Sequence, residues 1–403
     1  MRFTHSADCH VGGHRDPRLR VLTEQAFQCF INESLAEMVD FIIIAGDLFN
    51  TAIPGIDTLK FVVTQLNKAK QQNTPVYVIP GSHDFSPSGK TMIDVLEEAQ
   101  LLTNVCRGTV TEQGKLKLSF TEDKKTGVKL TGVIGKRGML DRTIYEDLDH
   151  GISNEPGKKI FLFHTAITEL KPTHLEEMES YPVSFLPQGF DYYAGGHVHI
   201  VERYQQDRYA NIVYPGPLFP NSFSELERLQ NGGYYLYDDG TLTRKDLKLK
   251  NVHAVKINVN NMSATAANAH MQETIASINP TNSIILLRIE GVLSAGNTAD
   301  IDLRTAIQTL EQNGAYIVLR NTAKLTTKEF TEIAIQHTEP QQIEELLLKE
   351  HATQLFLEGA DGAALTTYLL SILSKDPKDG EKIHEYQEHI IKDALEHIDN
   401  TRQ

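Results

Sequence analysis

The chain has 403 residues, 40% of them hydrophobic and 23% charged, enough for two or three domains of about 150 residues and too ordinary in usage for a disordered chain or a disulfide-stapled miniprotein. Its longest apolar run, at 41–45, is far short of the roughly 20 residues of a membrane span; residues 1–13 lack the basic-then-apolar order of a secretory signal, and three cysteines fit a reducing cytoplasm. The formal charge of −14 argues against nucleic acid, yet residues 331–403 carry 15 Asp and Glu against 6 Lys and Arg, a net of −9 that leaves only −5 for the first 330.

In chain order, residues 2–7, 41–45, 76–79, 160–163 and 191–194 each read as a buried strand bounded by turn residues. Residues 18–39 place Leu19, Leu22, Phe27, Phe30, Ile31, Leu35 and Met38 close to helical spacing, and a second helix is predicted at about 57–71. The alternation is that of an α/β fold. Lysine-rich alternation between 106 and 131 predicts hairpin strands, and Tyr214-Pro215-Gly216-Pro217 a turn-rich close to this half. From 251 a small β-α-β-α-β unit follows, with strands at 253–259, 283–289 and 315–320 and helices at 264–278 and 300–312. The region from about 326 is acidic, with helices expected at 343–348, 363–373 and 383–398 and a polar linker at 374–380. The resulting division is 1–250, 251–325 and 326–403.

Five of the strand ends carry metal-type ligands: Asp8-Cys9-His10, Gly46-Asp47, Gly81-Ser82-His83-Asp84, His164, and Gly195-Gly196-His197-Val198-His199. In an open α/β sheet, sites form beyond the carboxyl ends of the strands, so five such ends converge on one crevice. Asp8 with His10, and His197 with His199, are two apart and share a side if the backbone stays extended, which turns Cys9 away. Mixed imidazole and carboxylate ligands suit Mn, Zn or Fe, and Asp47 is placed to bridge two ions as two-metal phosphoesterases require. Taken singly, an Asp-x-His is a common turn feature and His164 reads as a hydrogen-bonded core histidine; five similar signals in one pattern outweigh those readings. Ser88-Gly89-Lys90-Thr91 ends like a phosphate loop, but Asp84 stands where that motif needs glycine.

The ordered set Asp8-x-His10, Gly46-Asp47, Gly81-Ser82-His83-Asp84, His164 and Gly196-His197-Val198-His199 resembles the calcineurin-like metallophosphoesterases. Within them, residues 3–12, Gly46-Asp47-Leu48-Phe49, residues 190–194 and Tyr214-Pro215-Gly216 resemble the meiotic-recombination-eleven DNA repair nucleases of archaea and their bacterial counterpart SbcD. That resemblance implies a four-layer α/β/β/α sandwich with a small α/β cap and a helical tail. It implies two divalent ions, most simply Mn: one held by Asp8, His10, Asp47 and His199, the other by Asp47, His164, His197 and position 82. His83 would protonate the leaving oxygen or steady the transition state, with Asp84 orienting its ring. Two positions depart from the pattern: Ser82 replaces an Asn ligand, and Asn50 replaces a His frequent in the archaeal branch.

The implied activity is Mn-dependent hydrolysis of DNA phosphodiesters, by exonuclease and endonuclease action, in double-strand break repair. Implied partners are DNA ends, a second copy of the chain, and an SMC-like coiled-coil ATPase of the SbcC type gripping the C-terminal helices; the implied location is cytoplasmic and nucleoid-associated. Two alternatives stay open: a DNA-end scaffold whose chemistry Ser82 has impaired, and a phosphatase or small-molecule phosphodiesterase of the same superfamily. Lys124, Lys125, Lys129, Lys136, Arg137 and Arg142 can position phosphates or simply solvate a hairpin. The last helix, apolar at Ile383, Ile390, Ile391, Ala394, Leu395 and Ile398, can dock in a partner's groove or on its own chain.

Overall fold

The structure, a computed structural model, describes residues 1–86, 91–136 and 142–328, with 368, 372, 386 and 389–395. Residues 88–90, Arg137, the helix expected at 343–348, the linker at 374–380 and most of the two helices flanking it lie outside the described residues; 389–395 are helical as expected.

The elements run β1 (Arg2–Ser6), α1 (Pro17–Ala36), β2 (Phe41–Ala45), α2 (Ile56–Gln71), β3 (Val76–Ile79), α3 (Met92–Glu98), β4 (Thr103–Asn104), β5 (Gly108–Val110), β6 (Leu116–Leu118), β7 (Thr121–Glu122), β8 (Lys129–Gly132) and α4 (Arg142–Glu146). They continue with β9 (Lys159–His164), β10 (Tyr192–Gly196), β11 (Val201–Gln206), β12 (Tyr209–Pro215), α5 (Phe223–Leu229), β13 (Gly232–Asp238) and β14 (Thr241–Leu247). The last described are β15 (Asn251–Asn258), α6 (Ala264–Ala276), β16 (Ser283–Leu293), α7 (Leu303–Gln312) and β17 (Ile317–Thr327).

Two six-stranded sheets carry the fold, ordered β14-β13-β1-β2-β3-β4 and β11-β12-β10-β9-β8-β7. Strands β1 to β4 are mutually parallel, and so are β12, β10, β9 and β8, while antiparallel strands close every edge except that of β4. A parallel interior strand is covered on both faces, which is why β2 reads Phe-Ile-Ile-Ile-Ala with every residue buried. Alternation then sorts its side chains. Ile42 and Ile44 pack beneath α1 and α2 with Leu22, Phe27, Phe30 and Leu66, whereas Phe41, Ile43 and Ala45 enter the layer between the sheets with Phe3, Ile79, Leu130, Ile160 and Tyr192.

Helix α1 starts where Asp16 caps it, its carboxylate accepting from Arg18 N at 2.8 Å, with Pro17 in the first turn. The outer face of the second sheet is covered by Phe161, Phe163, Tyr193, Ile212 and Tyr214 packed with Tyr145 of α4 and with Leu170 and Val183 from short 3-10 turns. The architecture is the expected four-layer α/β/β/α sandwich, its last layer built largely of such turns. Tyr214 and Pro215, expected in a turn, end strand β12, and only Gly216 beyond them takes a left-handed conformation.

The chain divides into two compact units, one of residues 1–257, 272–289 and 303–322, the other of 258–271, 290–302 and 323–403. Strands β15, β16 and β17 form a three-stranded sheet, and within the first unit Ile284, Leu286 and Ile317 join the core under α1. No helix among the described residues is long and apolar enough to cross a membrane.

Candidate metal centre

The loops after β1 and β2 are laced together beyond the strands. Asp8 N donates to Gly46 O (3.1 Å), His10 N to Asp47 O (3.0 Å) and Val11 N to Leu48 O (3.0 Å), while Leu218 N donates to Asp8 O (3.3 Å). The extended backbone expected at Asp8, His10, His197 and His199 is not what aims them. Their φ values are 51°, 42°, 98° and 54°, and Asp47 joins them at 52°. Left-handed backbone at non-glycine residues is costly and collects at functional sites, because the surrounding fold must enforce it. Cys9 does turn away, buried among the residues under α1 with its Sγ 3.6 Å from Ser6 Oγ.

Three overlapping groups result: Asp8, His10 and His199; His10, Asp47 and His83; Asp8, Asp47 and His164, each with ligand atoms within 4.8 Å of one another. His10 Nε2 lies 3.1 Å from His199 Nε2 and 3.7 Å from Asp47 Oδ2; His164 Nε2 lies 3.2 Å from Asp47 Oδ2; His199 Nε2 lies 3.6 Å from Asp8 Oδ1. Asp47 therefore sits between two imidazole sets. His197 joins none of these groups, although its ring centroid is 5.2 Å from that of His164 and its backbone N donates to both Asp8 oxygens. Ser82 Oγ donates to Asp47 Oδ2 at 3.4 Å.

Glycine permits this approach. A Cβ on Gly81 would stand 2.3 Å from both the backbone N and Oδ1 of Asp47, and one on Gly46, whose φ is +87°, would stand 2.2 Å from His164 Nδ1.

The electrostatics are those of crowded, buried ligands. Burial opposes ionisation of Asp47, but the His164 and His10 rings overcome it and hold the carboxyl well below the usual range; burial pushes Asp8 up. Burial lowers His10 to about 3 and, with help from His164, His197 to about 4. Against the same burial, Asp47 and Asp8 push His164 up to about 10, and Asp8 and Glu225 push His199 up to about 9. The buried Nε2 of His164 makes no hydrogen bond, while its Nδ1 is paired with Ala45 O at 2.8 Å. An unpaired imidazole nitrogen facing two carboxylates, in a mixed histidine and carboxylate set, fits a divalent cation.

Asp84 does not orient the His83 ring as expected. Its carboxylate accepts from the backbone N of Gly81 (3.0 Å), Leu48 (3.1 Å) and Phe49 (2.9 Å), tying the loop after β3 to the loop after β2. The ring of His83 is set instead by the Asn50 carbonyl, 2.7 Å from Nδ1, and its backbone N donates to Asp47 Oδ1 at 2.7 Å. Residue 50 thus contributes through its backbone, which any side chain supplies.

One site residue escaped the sequence reading. Glu225 of α5 accepts from His199 Nδ1 at 3.0 Å through Oε2, which also takes Asn221 N at 2.9 Å. Its only sequence signal is Ser222-x-x-Glu225 before Leu226, the pattern of a helix start. Glu225, His197, His199, Leu175, Met178 and Arg228 line a cavity of about 350 Å³ beside the ligands; a larger one of about 620 Å³, at Lys70, Tyr77, Leu101 and Lys124, shares no residue with them.

The expected basic stretch is not an array of free cations. Lys125 pairs with Asp40 (2.7 Å), Lys129 with Glu155 and Arg142 with Glu146 (2.8 Å), while Lys136 lies over the Phe85 ring, 5.5 Å from its centroid.

A comparison with family models matches residues 1–201 to the calcineurin-like phosphoesterase family. Among curated proteins, the DNA double-strand break repair protein Mre11 of Archaeoglobus fulgidus is 28% identical over 57% of this chain and 52% of its own length. That of Methanococcus maripaludis is 29% identical over 62% of this chain and 68% of its own, and that of Methanopyrus kandleri 28% identical over 56% and 51%. The matched region thus spans about half the length of two of these relatives and two thirds of the third. The aligned domain holds every expected metal ligand, from Asp8 to His199, and through it the chain belongs to the calcineurin-like phosphoesterases.

Proposed function

We propose that the protein is a metal-dependent DNA phosphodiesterase that acts on double-strand ends. The observation that carries this reading is the placement of Asp47 between the His10/His199 and His164 sets, with carboxylate to imidazole spacings of 3.2 to 3.9 Å around Asp8 and Asp47. Asp8, His10, Asp47 and His199 would hold one ion, and Asp47, His164, His197 and the Ser82 position the other, with Mn the first choice. Bound there, a divalent pair would supply a water of near-neutral pKa and positive charge to offset the negative charge developing on the phosphate.

The chain's own residues do the rest. Asn50 O can only accept, so His83 Nδ1 keeps its proton in either state and Nε2 is the nitrogen that gains or loses one. That nitrogen protonates the departing oxygen. Asp84, by fixing the Gly81 backbone, holds the loop that carries His83 against Asp47. The Mre11 likeness supports DNA ends as substrate; an SMC-like coiled-coil ATPase and a second copy of this chain as partners, a cytoplasmic, nucleoid-associated setting, and a three-part division at about 250 and 325 complete the proposed reading.

A scaffold reading is favoured by one observation, the short Ser82 hydroxyl spent on Asp47. The test is cleavage of linear single- and double-stranded DNA with Mn, beside a nitrophenyl phosphate diester and monoester. His83→Ala should still bind Mn and lose about 10²–10⁴-fold in rate. Equal cutting by His83→Ala, or intact DNA after treatment with Mn-loaded wild type, defeats the nuclease reading; a sharp gain on Ser82→Asn selects the scaffold.

A further inference from the structure

The carboxylate of Glu225 lies outside all three ligand groups, and its contacts give it a separate task. Through Oε2 it joins His199 Nδ1 (3.0 Å) and Asn221 N (2.9 Å). Oε1 takes the Ser222 hydroxyl at 3.2 Å, and Ser222 Oγ in return accepts from Glu225 N at 3.2 Å, closing the first turn of α5. Three residues on, Arg228 Nη2 donates to His199 O at 3.0 Å. Helix α5 thus grips His199 by ring and by backbone. On its other side Arg288 of β16 makes two bonds to the Glu227 carboxylate (2.8 and 2.6 Å) and lies over the Phe223 ring, 5.1 Å from its centroid.

We propose that Glu225 is a positioning residue of the metal centre: it keeps the proton of His199 on Nδ1 and aims Nε2 at the space shared with Asp8 and His10. An ionised carboxylate is acceptor-only, so a neutral His199 facing it must carry its hydrogen on Nδ1, leaving the Nε2 lone pair for a cation. Without that partner the ring can rotate or take the other tautomer, and the ligand is lost for part of the time. This rests on the reading of His199 as a metal ligand. It adds that the ligand's competence is set from a helix 26 residues further along the chain.

The experiment is calorimetric titration of the full chain with Mn, together with long-range nitrogen spectra of histidine-labelled protein loaded with Zn as a diamagnetic probe. Glu225→Ala should weaken one Mn site by about 10- to 100-fold and leave the other. Glu225→Gln, whose amide oxygen can still accept from Nδ1, should recover most of that loss. Glu227→Ala, which loosens the same helix on its other side without touching the ring or the Glu225 carboxylate, should stay within threefold of wild type and separates positioning from mere helix stability. In the spectra, the His199 pattern of protonated Nδ1 and ligated Nε2 should be kept in Gln and lost in Ala. Mn affinity unchanged in a folded Glu225→Ala overturns the positioning role alone. Wild type that binds no Mn overturns the metal reading and the inference with it.

Discussion

Gly81 has no room for a side chain, because the space a Cβ would fill is taken by Asp47. Gly81→Ala must push aside the carboxylate on which both proposed ion sets depend. It should cost about 1–3 kcal/mol of stability, as overpacking typically does, and reduce Mn binding more than that loss alone explains; denaturant unfolding and metal titration read the two effects separately. Protons compete for the same ligands. His199 is raised to about 9 and His164 to about 10 by neighbouring carboxylates acting against burial, so near pH 7 ion binding must displace protons from both. Apparent Mn affinity should therefore rise from pH 6 towards pH 9, with proton release visible as a dependence of the binding heat on buffer ionisation enthalpy; a flat profile contradicts this. The ligands were legible in the sequence because each group follows an apolar strand and Asp47, Ser82 and His197 sit beside glycine. Glu225 was not, since a polar helix start gives no hint of the distant ring it faces, and a backbone carbonyl such as that of Asn50 leaves no residue-type signature.

At the level of elements, β2 is the clearest case of a strand dictated by its neighbours. Ile43 faces the layer between the sheets with Phe3, Leu130 and Ile160, and the two sheets present their ligand-bearing ends at one edge. Ile43→Ala should cost about 2–5 kcal/mol in denaturant unfolding, and a cost below 1 kcal/mol would mean that the sheets are not so closely packed there. Aliphatic parallel strands announce themselves by composition, and β1, β2, β3, β9 and β10 were all expected within a few residues. Of the strands missed, β4 has only two residues and β12 ends in the Tyr214-Pro215 pair that reads as a turn. Strand β13 is built on Tyr234, Tyr235 and Tyr237, while β11 and β14 are edge strands whose Glu, Gln, Lys and Arg blur the alternation. Edge strands need few apolar residues, so hydrophobic pattern alone does not find them.

For the molecule as a whole, a net charge of −14 and a run of lysines pointed in opposite directions. The structure weakens the second signal, because Lys125, Lys129 and Arg142 already have carboxylate partners. If the proposed function holds, attraction to DNA should then owe more to bound divalent ions than to these paired side chains. Fluorescence anisotropy with a labelled duplex should show at least a tenfold gain on adding Mn. The logarithmic salt dependence should be no steeper than about −3, the release expected for three or so phosphate contacts; equal affinity in chelator would contradict this account.

The hydrogen bonds that lace Asp8, His10 and Val11 to Gly46, Asp47 and Leu48 continue the β1–β2 pairing past the end of the sheet. The ligands thus ride on architecture that does not need an ion to hold it. In small zinc domains the ion is the core and its removal unfolds the chain; here chelation should strip the chemistry and spare the fold. Such a centre would be preorganised in its backbone, so that an ion trades places with protons rather than building the site, and circular dichroism through a cycle of chelation and refilling should show no unfolding.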